Sequence, residues 1–312
     1  MFYVVAFLII ATLILLAIVF ALRWFWSFLG RGKPLQGAIE EGLVSEETEK
    51  TIHDREMWNS TRIRFHRDRD NPKPKLTWSQ RWEIVRADIA YRDVYLDRIK
   101  LSVYQVVFVF VIGSVLGLII EQIWTYVTWG ATEKRYGLVF GPFSPLYGAG
   151  AVVLTLIGWP LRKKDAKWWM VFLVSMVAGG VLEQITGWGM KTFFNAESWS
   201  YLQYPDHITQ WVAWRFLFFW GILGLFWCEV LMPQLIYAIG QPTTVRQVVF
   251  IVLLCVYLGT DIFLTIACFQ RSTERDAGIP PENAFEEWVD TNYTDEFIES
   301  RFENMTIDGS DE

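Results

Sequence analysis

The sequence predicts a polytopic, all-α membrane protein, and three observations carry that expectation. Its 312 residues are 53% hydrophobic and 17% aromatic, with 17 Trp, and only 20% are charged. The apolar residues fall in unbroken blocks, several of them reaching the roughly 20 residues a helix needs to cross a bilayer. Lys and Arg gather in alternate connections between blocks, the pattern that keeps basic loops on the cytoplasmic side. Together these exclude a soluble enzyme.

The first block, residues 1–22, contains no charged residue, Pro or Gly, and Arg23, Trp24 and Trp26 follow it. It lacks the basic start and the small-residue cleavage site of a secretory signal, so a membrane anchor is expected there. Residues 23–100 carry 16 basic and 13 acidic side chains. This cytoplasmic segment is too polar for a sizeable core and too balanced for a nucleic-acid surface. Thr77 and Gln80 form a capping-box pattern, after which Trp78, Trp82, Val85, Ile89, Leu96 and Ile99 recur mainly at helical spacing. An amphipathic helix over 78–100 is expected, with an Asp88–Arg92 pair one turn apart. Two environments stay open for its apolar stripe, the cytoplasmic leaflet and the protein itself.

Five more blocks, at about 101–120, 146–160, 168–190, 211–239 and 248–269, make a membrane core over 101–269 and six spans in all. The third is short and follows a Gly/Pro-rich approach, so a re-entrant segment is an alternative there. The basic connections place the amino terminus, the loops 121–145 and 191–210, and the tail 270–312 on the outer face. That tail holds 13 acidic against 3 basic residues, and disorder is expected for it. The location expected is the plasma membrane, multi-pass.

Residues 111–129 align with 173–191 at an offset of 62, matching Val115 with Val177, Gly117 with Gly179 and Glu121-Gln122-Ile123 with Glu183-Gln184-Ile185. A parallel two-span repeat is one reading; chance identity between apolar stretches is the other. Charge inside hydrocarbon needs a partner, water or a proton. At about 1.5 Å per residue, Glu183 and Arg215 lie at similar depth, which predicts an ion pair with Glu121 nearby. Asp261, mid-way along the last block, is a secondary candidate.

Between the second and third blocks stands Arg135-Tyr136-Gly137-Leu138-Val139-Phe140-Gly141-Pro142-Phe143-Ser144-Pro145-Leu146-Tyr147-Gly148, whose glycines and prolines impose a fixed path. With Glu183, Trp199, Tyr201 and the run Arg215 to Gly221, it resembles the ABC-transporter type IV membrane family over roughly residues 105 to 230. Arg135, Gly137, Gly141, Pro142, Pro145, Tyr147, Gly148, Glu183, Trp199 and Tyr201 match that family's motifs. The last motif reads Trp199-Ser200-Tyr201 where the family has Trp-Asp-Tyr, so no role needing that acid transfers.

The resemblance implies a permease-like protein, and the expected function is transport of a solute or lipid-like molecule with a charged site near the outer membrane face. Glu121, Arg135, Glu183 and Arg215 are the candidate charged ligand-binding groups, with Tyr147, Trp199 and Tyr201 as aromatic walls; Gly137, Gly141, Pro142, Pro145 and Gly148 would shape the path. No nucleophile–base set or metal-ligand spacing stands out, so no enzyme activity, metal or cofactor is expected. No phosphate-cradling loop is present, so an ATP-driven transporter would need a separate ATPase subunit. That subunit and a homo-oligomer stay open as partners beside the lipid bilayer; nucleic acid is not expected. The alternative function is a membrane scaffold or regulatory subunit.

Overall fold

The computed structural model describes residues 20, 34–62, 73–130, 136–194, 196–303 and 306–307. It is 75% helical with almost no strand and divides into two compact units, Met1–Lys100 with Ile236–Thr243, and Leu101–Leu235 with Thr244–Glu312. The expected anchor over 1–22, apart from Phe20, and Arg135 lie outside the described residues.

The first unit contains α1 (Pro34–Glu40), α2 (Glu46–Arg62) and α3 (Trp78–Arg98). The capping box starts α3 as its sequence requires: the Gln80 backbone N–H donates to Thr77 Oγ1 and the Thr77 backbone N–H to Gln80 Oε1. A small core of Ala38, Val44, Ile52 and Ala87, flanked by Ile84 and Tyr91, holds α3 to the preceding segment. Two expectations are corrected. Arg92 pairs with Asp93 at 3.1 Å, while Asp88 accepts from the Tyr237 hydroxyl at 2.7 Å. The apolar stripe is also divided, because Leu96 and Ile99 are buried whereas Trp78, Trp82, Val85 and Ile89 are exposed.

The second unit contains α4 (Val103–Trp129), α5 (Pro145–Lys163), α6 (Trp168–Phe194), α7 (Trp214–Ile239, with a π-turn over Trp227–Leu231 and its last four residues counted in the first unit), α8 (Val245–Asp276), α9 (Ala284–Asn292) and α10 (Asp295–Arg301). Among the described residues four helices, α4, α6, α7 and α8, are long and apolar enough to cross a membrane. Less than half of each apolar window is buried, and side chains such as Ile123, Val177, Phe219 and Leu253 face outward. Leaving a large apolar side chain in water costs about 1.5–3 kcal/mol, so such a surface would exceed the ~5–15 kcal/mol net stability of a fold. The protein is therefore a membrane protein.

The third apolar block, one of six expected spans, is a continuous helix but not apolar enough to join the four. Its small residues Gly148, Gly150, Ala151 and Gly158 are buried against neighbouring helices rather than turned outward.

The acidic tail is not disordered over its described part. Arg271, at the end of α8 and 2% exposed, pairs with Asp290 at 2.6 Å and Glu274 at 2.5 Å. Arg275 pairs with Asp290 at 2.6 Å and with Asp295. Val289, Ile298 and Phe302 bury themselves against Leu264, Cys268 and Phe269. Two arginines thus neutralise acids contributed by α9 and α10, and few apolar residues are needed because α8 supplies the other half of the core. A two-residue antiparallel pairing, Ala196–Glu197 (β1) with Thr306–Ile307 (β2), joins the tail to the connection after α6.

Arg301, at the end of α10, clamps the loop 136–144. Its guanidinium donates to the carbonyls of Leu138 (3.0 and 3.1 Å) and Gly141 (2.6 Å) and lies 3.7 Å from the Tyr136 ring centroid. From α8, Asp261 Oδ1 accepts from the Phe140 N–H at 2.9 Å and Thr265 Oγ1 from the Val139 N–H at 3.0 Å.

Arg271→Met should release α9 and α10 at a cost on the order of 3 kcal/mol, as for a broken buried pair, seen as faster hydrogen exchange over 284–301; unchanged exchange would remove Arg271 from this role. Arg301→Gln should accelerate exchange over 136–144 while sparing the ends of α6 and α7. The pairings with Arg271 and Arg275 hold the Asp290 and Asp295 carboxyls below the usual range. A depressed carboxyl stabilises above its unfolded value, about 4, and loses that contribution as pH falls through the folded value. Tail protection should accordingly persist from pH 7 to 5 and weaken progressively below about pH 4, measured by pH-resolved exchange.

Candidate functional site

Residues of the clamped loop, of the connection 196–213 and of α4 to α8 line a cavity of about 410 Å³. Its wall includes Glu121, Tyr147, Glu183, Trp199, Tyr201 and Trp220. A second cavity of about 610 Å³ shares five of these, all but Glu183, and runs on between α4 and α5 toward Leu154 and Trp227.

Glu183 is 8% exposed. Its Oε1 accepts a long hydrogen bond, 3.4 Å, from the Tyr201 hydroxyl. Oε2 is buried with no hydrogen-bond partner; the Trp220 indole is beside the carboxyl but outside hydrogen-bonding geometry. Burial, and then the nearby Glu183 charge, push the Tyr201 phenol up, so it remains a hydroxyl donor.

The connection 196–213 is held by several contacts. Tyr201 stacks on Phe216 with centroids 4.2 Å apart, its N–H donates to the Gln210 carbonyl at 2.7 Å, and Trp199 Nε1 donates to the Trp211 carbonyl at 3.3 Å. Thr209 donates to Gln184 and Gln210 to Glu197, tying this segment back to α6 and β1.

The expected Glu183–Arg215 ion pair is absent. Arg215 pairs with Asp206 at 2.7 Å, donates its backbone N–H to the same carboxylate at 3.0 Å and lies over the Tyr204 ring. Depth along the helix matched Arg215 to Glu183, but depth leaves the direction around the axis open. Leu217 and Gly221 turn toward α6, and Arg215 turns to the connection. That pairing keeps the Asp206 carboxyl below its ordinary value.

Glu121, Tyr147, Glu183, Trp199 and Tyr201 therefore come together; Arg215 does not join them. Asp261 is buried and serves the loop through Oδ1, while its Oδ2 has no hydrogen-bond partner. Gly137 closes the loop by donating to the Phe143 carbonyl at 2.9 Å, and Gly141 before Pro142 has φ +67°, a conformation that favours glycine. Pro145 opens α5, and Gly148 is buried one turn on.

The aligned glycines have matching neighbours. A Cβ on Gly117 would lie 2.3 Å from Tyr147, and one on Gly179 would lie 2.1 Å from Trp220. Each glycine admits an aromatic ring from the following helix, one turn before its glutamate. Sequence reasoning missed Trp220 because the spacing between the glutamates, 62, grows to 73 between the aromatics; the longer connection between α6 and α7 absorbs the difference. Arg301 gave no local signal, since its partners are backbone atoms 160 residues away.

No curated protein and no solved structure matches the chain. A family model described as "Putative ABC-transporter type IV" matches residues 108–266, a stretch that holds the clamped loop, both glutamates and Asp261. By that match over half its length, the chain belongs to the ABC-transporter type IV membrane family.

Proposed function

We propose that the protein is a permease of the plasma membrane that moves a small solute through the cavity beside Glu183. One observation carries the reading. A glutamate only 8% exposed, with one carboxyl oxygen unpartnered, lines a cavity of about 410 Å³, within the ~300–1,000 Å³ typical of small-molecule sites. An ionisable group held in a membrane helix is costly unless it has a task or a partner. Family membership supports a transport role, and since this sequence has no phosphate-cradling loop, any ATP hydrolysis would fall to a separate subunit. The cavity opening would face outside, following the basic connections at the other helix ends.

In a strain lacking the gene, the wild-type chain should restore movement of its solute across the membrane. Glu183→Gln at equal membrane abundance should restore less than a tenth of it, assayed against a panel of labelled solutes. Equal restoration by both chains would end the assignment of the site. A scaffold or regulatory subunit is the second reading, drawing on the exposed apolar stripe of α3; a copurifying partner retained by Glu183→Gln, with no solute moved by either chain, would favour it.

A further inference from the structure

We propose that the ligand of the Glu183 cavity is an organic cation, an amine or quaternary ammonium ion; this rests on the reading of that cavity as the solute site. Glu183 and Glu121 line it, and among its described lining residues there is no Lys, Arg or His. Among the described residues, two arginines of the same unit are committed elsewhere, Arg215 to Asp206 and Arg301 to two loop carbonyls. An anion would meet two carboxylates, and a neutral solute without a donor would leave Glu183 Oε2 unsatisfied. A cation answers both.

The rest of the wall selects the kind of cation. Tyr147, Trp199, Tyr201 and Trp220 present aromatic rings, whose negative faces attract ammonium groups, most strongly where water is excluded. A bare divalent ion would need more oxygen ligands than two carboxylates, and among the described residues no three His, Cys, Asp or Glu come together to hold a metal.

Purified full-length protein in nanodiscs tests this with three probes of one shape: choline, its uncharged isostere 3,3-dimethylbutan-1-ol, and the anion 3,3-dimethylbutanoate, each titrated calorimetrically. Choline should bind at least tenfold more tightly than the other two. Glu183→Gln should weaken choline tenfold or more while changing the isostere less than twofold. Glu121→Gln, on a different helix, provides a second carboxylate variant should Glu183→Gln lower the thermal midpoint. Absence of choline binding, equal affinity for choline and its isostere, or preference for the anion would overturn the proposal. Choline binding without flux in proteoliposomes would leave the ligand class standing and sink the permease reading; flux of only uncharged or anionic solutes would do the reverse.

A separate observation concerns α3, and from it we infer that this helix rests on an anionic bilayer surface. Trp78, Trp82, Val85 and Ile89 are 72%, 50%, 46% and 50% exposed. At about 100° per residue they form one stripe, opposite the face that buries Gln80 and Ala87. The helix is apolar on two sides, and among the described residues the first unit covers only one. Exposed Arg81 and Arg86 flank the stripe at about 60–80° to either side. The acids among them turn inward: Glu83 accepts from Ser45 and Thr48, and Asp88 from Tyr237.

Tryptophans with arginines beside them suit the headgroup layer, where each Arg near anionic lipid contributes about 1 kcal/mol. Only residues 99–102 separate α3 in sequence from the membrane helix α4.

Spin labels at Val85→Cys and, as the reference, Ala90→Cys, on the full chain with exposed Cys255 replaced by Ser, read this in nanodiscs containing about a third anionic lipid. The Val85 label should be relaxed by lipid-soluble oxygen and shielded from a water-soluble nickel chelate, and the Ala90 label the reverse. Equal access of the chelate to both sites, or shielding of Val85 from both agents as under a protein partner, would overturn the inference.

Discussion

The cavity depends on irregular backbone at the end of a membrane bundle being satisfied by side chains. Loop 136–144 has no helix or sheet ladder of its own, and each unmet peptide group in apolar surroundings costs several kcal/mol. Asp261 and Thr265 take two of its N–H groups, Arg301 supplies donors to two of its carbonyls, and Gly137 closes it on Phe143. These partners come from α8 and from α10. The roof of the site is therefore built by the tail as much as by the spans, and the arginine pairs that dock α9 and α10 also position Arg301.

This arrangement explains what could be read from the sequence and what could not. Features encoded within one element were legible: the Thr77–Gln80 capping box, four long apolar helices, the turn-forming Gly141 and the glycine–glutamate pairs one turn apart. Features that depend on direction around a helix or on distant partners were not. Arg215 was matched to Glu183 by depth yet pairs with Asp206, because length along a helix carries no azimuth. The tail was misjudged because composition counts charges without showing that two arginines on α8 would each meet several acids. The α5 block showed its apolar character in the sequence, but its small-residue packing against α4 and α7 was not visible there.

The repeated pattern accounts for the shape of the site and also for its one-sidedness. Tyr147 packs on Gly117 and Trp220 on Gly179, so the pairs α4–α5 and α6–α7 use the same close approach. The glutamates one turn further along then both reach the cavity wall. The connection after α6 breaks that equivalence, because its extra length brings Trp199 and Tyr201 over the second pair, and Tyr201 donates to Glu183 alone. Glu183 is buried while Glu121 is half-exposed. A neutral hydroxyl at 3.4 Å orients one carboxylate oxygen but supplies no countercharge, and a full negative charge at this depth is unfavourable by several kcal/mol until one arrives. The scaffold is thus paired while the electrostatic demand is single, and that demand is what distinguishes a site from two packed helices.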